Sequence, residues 1–254
     1  MSANPRLDHL VEEVRRQGSM SVEALADRLG VTLQTVRRDI KQLASQGVLA
    51  RYHGGVRLPV STTENIEYKQ RRQLNAEAKR AIAREVAMAI PEGCSLILNI
   101  GTTTEAIAHE LVRHRGLRVI TNNLNVAAIL ADSPDCEVIV AGGVVRSRDH
   151  GIVGETTVDF IRQFRVDIGV IGISGIEQDG TLRDFDLREV KVAQSIIAQS
   201  REVWLAADSS KFGRPAMIEL ARLGQIDALF TETPPPAPYA DLLADAGVKC
   251  MIAS

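Results

Sequence analysis

The chain has 254 residues, 45% of them hydrophobic, with 30 Lys and Arg against 32 Asp and Glu for a formal net charge of −2. That length and apolar content suit one small and one medium domain, each with its own core. No run is long or apolar enough to cross a bilayer, and the N-terminus lacks the apolar stretch of a signal peptide, so the expected location is cytoplasmic with no membrane partner.

The first pattern is an amphipathic pair of helices, Ser21 to Leu29 and Leu33 to Ser45, joined by Gly30-Val31-Thr32. At about 3.6 residues per turn, Leu33, Val36, Ile40 and Leu43 share one narrow face, which is the face expected to be buried. Arg38 lies almost opposite, beside Gln34 and Thr35, with Lys41 also exposed and with Arg37 and Asp39 on the flanks. This is the outline of a helix-turn-helix, which inserts its second helix into the DNA major groove. Arg38 is assigned to guanine O6 and N7, Gln34 to adenine N6 and N7, and Arg37 to phosphate.

Val48 to Leu58 then forms two short β-type runs around Gly54-Gly55, a hairpin directly behind the recognition helix and hence a wing. Arg51, His53 and Arg57 are expected along the phosphate backbone. The charges divide accordingly: Met1 to Arg57 holds 9 Lys and Arg against 6 Asp and Glu, whereas the remainder holds 21 against 26. A basic head on an acidic body is expected where only the head meets nucleic acid.

Pro59 to Asn75 reads as a polar linker and hinge with one helical turn. From Ala76 the pattern is helical, Ile82, Val86 and Ile90 on one side and Lys79, Arg80 and Arg84 on the other. Strands then fit Ser95 to Ile100, Leu117 to Thr121, Glu137 to Ala141, Asp167 to Ile171, Glu202 to Ala206, Ala228 to Thr231 and Lys249 to Ile252. Helices fit Thr104 to Val112, Asn125 to Leu130, Thr156 to Gln163, Arg188 to Gln199 and Tyr239 to Ala246. Nearly all-apolar strands separated by helices predict an α/β domain with a parallel sheet covered on both faces. The domain boundaries are therefore 1–58, a linker at 59–75, and 76–254.

In open α/β sheets ligands bind beyond the carboxyl ends of strands. The turn Asn99-Ile100-Gly101-Thr102-Thr103-Thr104 leaves a strand and opens a helix: Gly101 permits close approach, the threonines donate, and the helix start offers free N–H groups to an anion. It has neither Walker nor dinucleotide spacing. Asn122 and Asn123 follow another strand, and Lys211 follows Asp208-Ser209-Ser210 as the second phosphate contact or counter-charge. Val144 to Val153, with Arg146, Arg148 and Asp149, reads as a β-excursion or a flap over the ligand. Asp184, Asp186 and Glu189 crowd a helix start, where Glu189 is the candidate partner for a ligand hydroxyl. Cys94, Cys136 and Cys250 read as core thiols, and no metal site or cofactor is expected.

These segments resemble the DeoR family of bacterial transcriptional repressors: Thr35-Val36-Arg37-Arg38-Asp39, His53-Gly54-Gly55, Gly101-Thr102-Thr103, Thr121-Asn122-Asn123-Leu124, Ala141-Gly142-Gly143 and Asp208-Ser209-Ser210-Lys211-Phe212. The resemblance implies a winged helix-turn-helix joined to a C-terminal α/β sensor domain similar to ribose-5-phosphate isomerase, in a homo-oligomer, dimer or tetramer, that holds a double-stranded operator until a phosphorylated sugar or polyol arrives. Within the family, Arg146-Ser147-Arg148-Asp149 and Gly172-Ile173-Ser174-Gly175-Ile176 point toward glycerol metabolism, with glycerol 3-phosphate as effector. One departure is Asn99, where the family pattern commonly has Asp; the amide repels a phosphate less, or loses a carboxylate contact to a hydroxyl. An isomerase would need a carboxylate base such as Glu189 or Asp208, but a DNA-reading head would be superfluous on it, so the expectation is a non-enzyme.

Overall fold

A computed structural model describes residues 5–17, 19–45, 48–52, 55–57, 62 and 65–253, without the side chains of Arg15 and Arg16. His53, Gly54 and the 58/59 boundary lie outside the described residues.

The N-terminal head contains α1 (Pro5–Gln17), β1 (Ser19–Ser21), α2 (Val22–Leu29), α3 (Leu33–Ser45), β2 (Ala50–Tyr52) and β3 (Gly55–Arg57). Helix α1 was not anticipated, although Leu7, Leu10, Val11 and Val14 have helical spacing and all enter the head's core. The Ser21 side chain caps α2 by accepting from the Ala24 N–H at 3.0 Å, and Gly30 ends the helix in the left-handed conformation. Thr32 opens α3, its Oγ1 accepting from the Thr35 N–H. The three strands form an antiparallel sheet in the order β1-β3-β2, so the wing has a third strand contributed from ahead of the helix pair.

Two placements in α3 differ from the sequence reading. Leu33 is 41% exposed, while Asp39 is buried. Leu33 opens the helix, one turn short of the core, and Asp39 is turned inward by the Arg6 guanidinium of α1, which donates to both carboxylate oxygens at 2.7 and 3.0 Å.

Two helices link head and body, α4 (Tyr68–Gln73) and α5 (Ala76–Ala89). The body then runs β4 (Ser95–Leu98), α6 (Thr102–Leu111), β5 (Leu117–Thr121), α7 (Leu124–Ala131), β6 (Cys136–Val140), β7 (Val144–Val145), β8 (Ile152–Val153), α8 (Glu155–Ile161) and β9 (Val166–Ile171). It continues through β10 (Gly175–Ile176), β11 (Thr181–Asp184), α9 (Leu187–Gln199), β12 (Ser200–Ala206), β13 (Ile218–Arg222), β14 (Ala228–Thr231), α10 (Ala237–Asp245) and β15 (Lys249–Ile252). Seven strands make one parallel sheet, ordered β15-β14-β12-β9-β4-β5-β6.

Strand parity divides the body's core. Leu96, Leu98, Val119, Trp204 and Phe230 face α5, α6 and α7, whose Ile82, Val86, Ile107 and Leu130 cover them. The alternate residues Ile97, Ile120, Val203, Leu205 and Leu229 face α8, α9 and α10. The second face is completed by an antiparallel sheet, β10-β11-β13, that the sequence reading missed. Lys79 is not on the solvent side of α5 as read; it is 5% exposed, its ammonium donating to the carbonyls of Arg71 and Leu74 at the end of α4. Of the thiols only Cys94 is buried; Cys136 is half-buried and Cys250 exposed, both on edge strands that have a partner on one side only. Among the described residues, no helix is long and apolar enough to cross a membrane.

Candidate functional site

The sheet order reverses between β4 and β9: the chain proceeds from β4 outward to β5 and β6, then returns to build the other half. A crevice opens at such a switch point. Here the segments leaving β4 (Asn99 to Gly101), β9 (Gly172 to Ser174) and β12 (Lys211) line one cavity.

Part of that lining is suited to an anion. Gly101, at φ +148°, places the backbone at the start of α6 in a conformation L side chains rarely adopt, and the first helical N–H groups have no intrahelical partner. Thr102 and Thr103 follow on the lining, and Arg71, Lys211 and Arg214 add three cations. Burial pushes Lys211 down to about 8 and Arg214 down to about 10. The same lining carries Asp149, Asp184 and Glu189. Asp184 accepts from the Ser174 hydroxyl at 2.9 Å and from the Phe185 N–H at 2.7 Å, yet burial raises its pKa. Burial likewise raises that of Glu189, with repulsion from Asp184 adding to it.

Asp149 and Glu189 are held by Arg146. It is 7% exposed, not a solvated tip of the β7–β8 excursion, and its guanidinium pairs with Asp149 at 2.7 Å, Asp186 at 3.1 Å and Glu189. Attraction from these carboxylates outweighs the burial that lowers the Arg146 pKa, and the net shift is upward.

Of the nine effector residues read from the sequence, Gly101, Thr102, Thr103, Glu189 and Lys211 come together on the cavity wall. The other four are placed elsewhere. Thr104 is fully buried and its hydroxyl donates to the Gly101 carbonyl at 2.8 Å. The Asn122 amide donates to the Ile152 carbonyl, anchoring β8. Asn123 caps α7 and donates to Glu105, so it sits behind the cavity wall. Arg148 is half exposed and pairs with Glu189 at 2.9 Å from outside the lining.

Sequence reasoning missed Tyr68 and Arg71, which α4 delivers to the cavity, and Arg214 and Glu105 beside them; Asp184, noted in the sequence only as one of the acids at a helix start, also lines it. The Tyr68 hydroxyl donates to Glu105 at 2.8 Å, and Arg71 lies 3.5 Å from Asp149. The segment read as a linker and hinge with one helical turn therefore forms one wall. Asn99, the departure noted in the sequence, also lines the cavity and accepts from the Ile100 N–H through Oδ1 at 2.8 Å.

In the head, Gln34, Arg37, Arg38 and Lys41 are exposed on α3, Thr35 is half-buried, and Arg51 is exposed on β2. Arg57 is placed differently from the sequence reading. Its Nη2 donates to the Gly213 carbonyl of the body at 2.6 Å, because β3 is the middle strand and its end abuts the 208–214 loop.

Residues 6–62 match the DeoR-like helix-turn-helix domain and residues 74–233 the DeoR C-terminal sensor domain. The chain belongs to the DeoR family. Among the family's members it is 46% identical over 249 residues to the glycerol-3-phosphate regulon repressor of Escherichia coli (strain K12), covering 98% of each chain. It is 40% identical over 252 residues to the HTH-type transcriptional repressor CsqR of the same strain, covering 99% of this chain and 96% of the relative. Among solved structures, ribose 5-phosphate isomerase A from Methanocaldococcus jannaschii aligns with a TM-score of 0.41 at 14% identity, over 54% of this chain and 55% of that one. In this DeoR-family chain, α4 lies in the interval between the two matched domains and joins the sensor's cavity wall.

Proposed function

We propose that the protein is a DNA-binding repressor of glycerol-metabolism genes, released from its operator by glycerol 3-phosphate. The observation that carries this reading is the mixed lining of the cavity: the N-terminus of α6, Lys211, Arg71 and Arg214 together with Asp149, Asp184 and Glu189. A phosphate is held at a helix start by N–H groups and a lysine, while carboxylates accept from hydroxyls; an ester carrying both groups suits this lining. The relatives' names support the same choice of effector, and relatives at 46% and 40% identity that carry different names make it a choice to be tested.

The recognition helix α3 enters the major groove, Arg38 and Gln34 reading base edges, Arg37, Lys41 and Arg51 contacting phosphate. Two copies of the chain present paired heads to a pseudo-palindromic operator inside the cytoplasm. The 208–214 loop connects the two functions, since Lys211 faces the cavity while Gly213 holds Arg57 of the wing. A phosphate that engages Lys211 shifts this loop and with it the head; release requires a coupling of about 1 to 3 kcal/mol between the two sites. The protein turns over no sugar phosphate: of the two candidate bases, Asp208 is 1% exposed and committed to Asn75, Ser210 and Lys211, and Glu189 is paired with Arg146 and Arg148.

The test is operator binding at fixed salt, with glycerol 3-phosphate and glycerol compared. Release by the ester alone supports the reading. Release by neither, or by both equally, ends it.

A further inference from the structure

A second cavity lies behind the first, between the wing and the body. Its lining includes Arg57 and Ser19 from the head and Arg71, Lys79, Lys211 and Arg214 from the body, with Asp208 as the carboxylate among them. Five cations thus line a cavity that holds one carboxylate. Lys79 donates to the carbonyls of Arg71 and Leu74, and the three guanidinium groups have also committed terminal nitrogens: Arg57 to the Gly213 carbonyl, Arg214 to the Ser174 carbonyl and Asn65, and Arg71 toward Asp149. In all three the Nε is buried with no acceptor among the described residues. A buried N–H without a partner is costly, and a buried cation more so.

We infer that this seam is a second anion site, which takes a phosphate-sized oxyanion between Arg57 of the wing and Lys79, Lys211 and Arg214 of the body. A tetrahedral oxyanion offers acceptors on every side, and guanidinium groups match its geometry. The electrostatics agree: burial pushes Lys79 down to about 8, with Lys211 nearby adding to the shift, and burial lowers Arg57 as well. An anion there ties β3 to the 208–214 loop, so it holds the head in one setting. Arg71, Lys211 and Arg214 line both cavities, whereas Arg57, Lys79 and Ser19 line the seam alone, so variants at Arg57 and Ser19 read the seam separately.

The test titrates inorganic phosphate into the full chain by calorimetry, at fixed ionic strength, with glycerol 3-phosphate saturating the first cavity. One phosphate per chain is expected to bind. Arg57→Gln is expected to weaken it at least tenfold. Ser19→Asp places a carboxylate on β1 opposite Arg57, its register partner; it is expected to abolish the phosphate heat and to raise the melting temperature of the free chain. Phosphate binding that disappears once glycerol 3-phosphate is present, or that Arg57→Gln leaves unchanged, overturns the second site. If the chain ignores glycerol 3-phosphate, the effector reading fails. The seam is then judged by the Arg57 and Ser19 variants with phosphate alone: binding that they abolish upholds it, and binding that they leave intact removes it.

Discussion

Arg57, the last residue of the wing's middle strand, donates to the Gly213 carbonyl at 2.6 Å, two residues beyond Lys211 of the sensor cavity. The head and the ligand pocket are thereby joined through a single short loop. Arg57→Ala removes one charged hydrogen bond, so stability is expected to fall by about 1 to 2 kcal/mol. The larger consequence is for coupling: the ratio of operator Kd with and without glycerol 3-phosphate should collapse toward one. An unchanged ratio would show that the signal takes another route.

Lys211 gives a pH dependence with a definite sign. Its ammonium is pushed down to about 8 from 10.5, chiefly by burial, and anion binding requires the charged form. A phosphomonoester becomes a dianion above a second pKa of about 6. Affinity for glycerol 3-phosphate should therefore rise through pH 6 and fall above pH 8, where an ordinary lysine would still be charged. Bound phosphate favours the ammonium, so binding at pH 8 should take up protons, visible as a dependence of the calorimetric heat on buffer ionisation enthalpy. In the free protein the folded chain sheds the protons of Lys79 and Lys211 near 8 and the unfolded chain near 10.5, so this pair's contribution to stability rises with pH across that interval.

Arg146 neutralises a cluster of three carboxylates while almost wholly buried. Removing one partner of a buried ionic group strands the others, so Arg146→Ala is expected to cost about 3 to 5 kcal/mol in chemical denaturation at pH 7. The deficit should shrink as pH falls and Glu189, whose pKa burial raises, takes up a proton. A variant as stable as the parent at pH 7 would mean that the cluster is solvated.

Arg38 projects from the exposed face of α3. Arg38→Ala should lose about 1 to 3 kcal/mol of discrimination between operator and mutated operator, with melting temperature and effector binding unchanged. Arg37→Ala should instead weaken all sequences alike and flatten the salt dependence.

The parallel sheet was legible because its strands are apolar runs bounded by turns, and α3 because its buried positions repeat at helical spacing. The Gly101 turn was legible for the same local reason: a strand, a glycine and a helix cap are consecutive. What could not be read were the contacts that distant segments make. Nothing near Asp39 announces that Arg6 turns it inward, and nothing in Tyr68 to Gln73 announces that Tyr68 and Arg71 close a cavity built by β4, β9 and β12. Arg57 carries the charge expected of a wing, but its strand's position in the middle of the sheet sends it to the body instead. Helix α1 is the exception, since Leu7, Leu10, Val11 and Val14 carried a signal within reach of periodicity alone.

The most direct measurement is the affinity of the full chain for a labelled operator fragment at one stated salt concentration, in the presence of glycerol 3-phosphate, of glycerol, and of neither. The expected result is a loss of at least about fivefold with the ester and none with the alcohol, absent in Lys211→Ala. Equal operator affinity in all three conditions, in a chain that binds its operator, would contradict release by a phosphorylated effector.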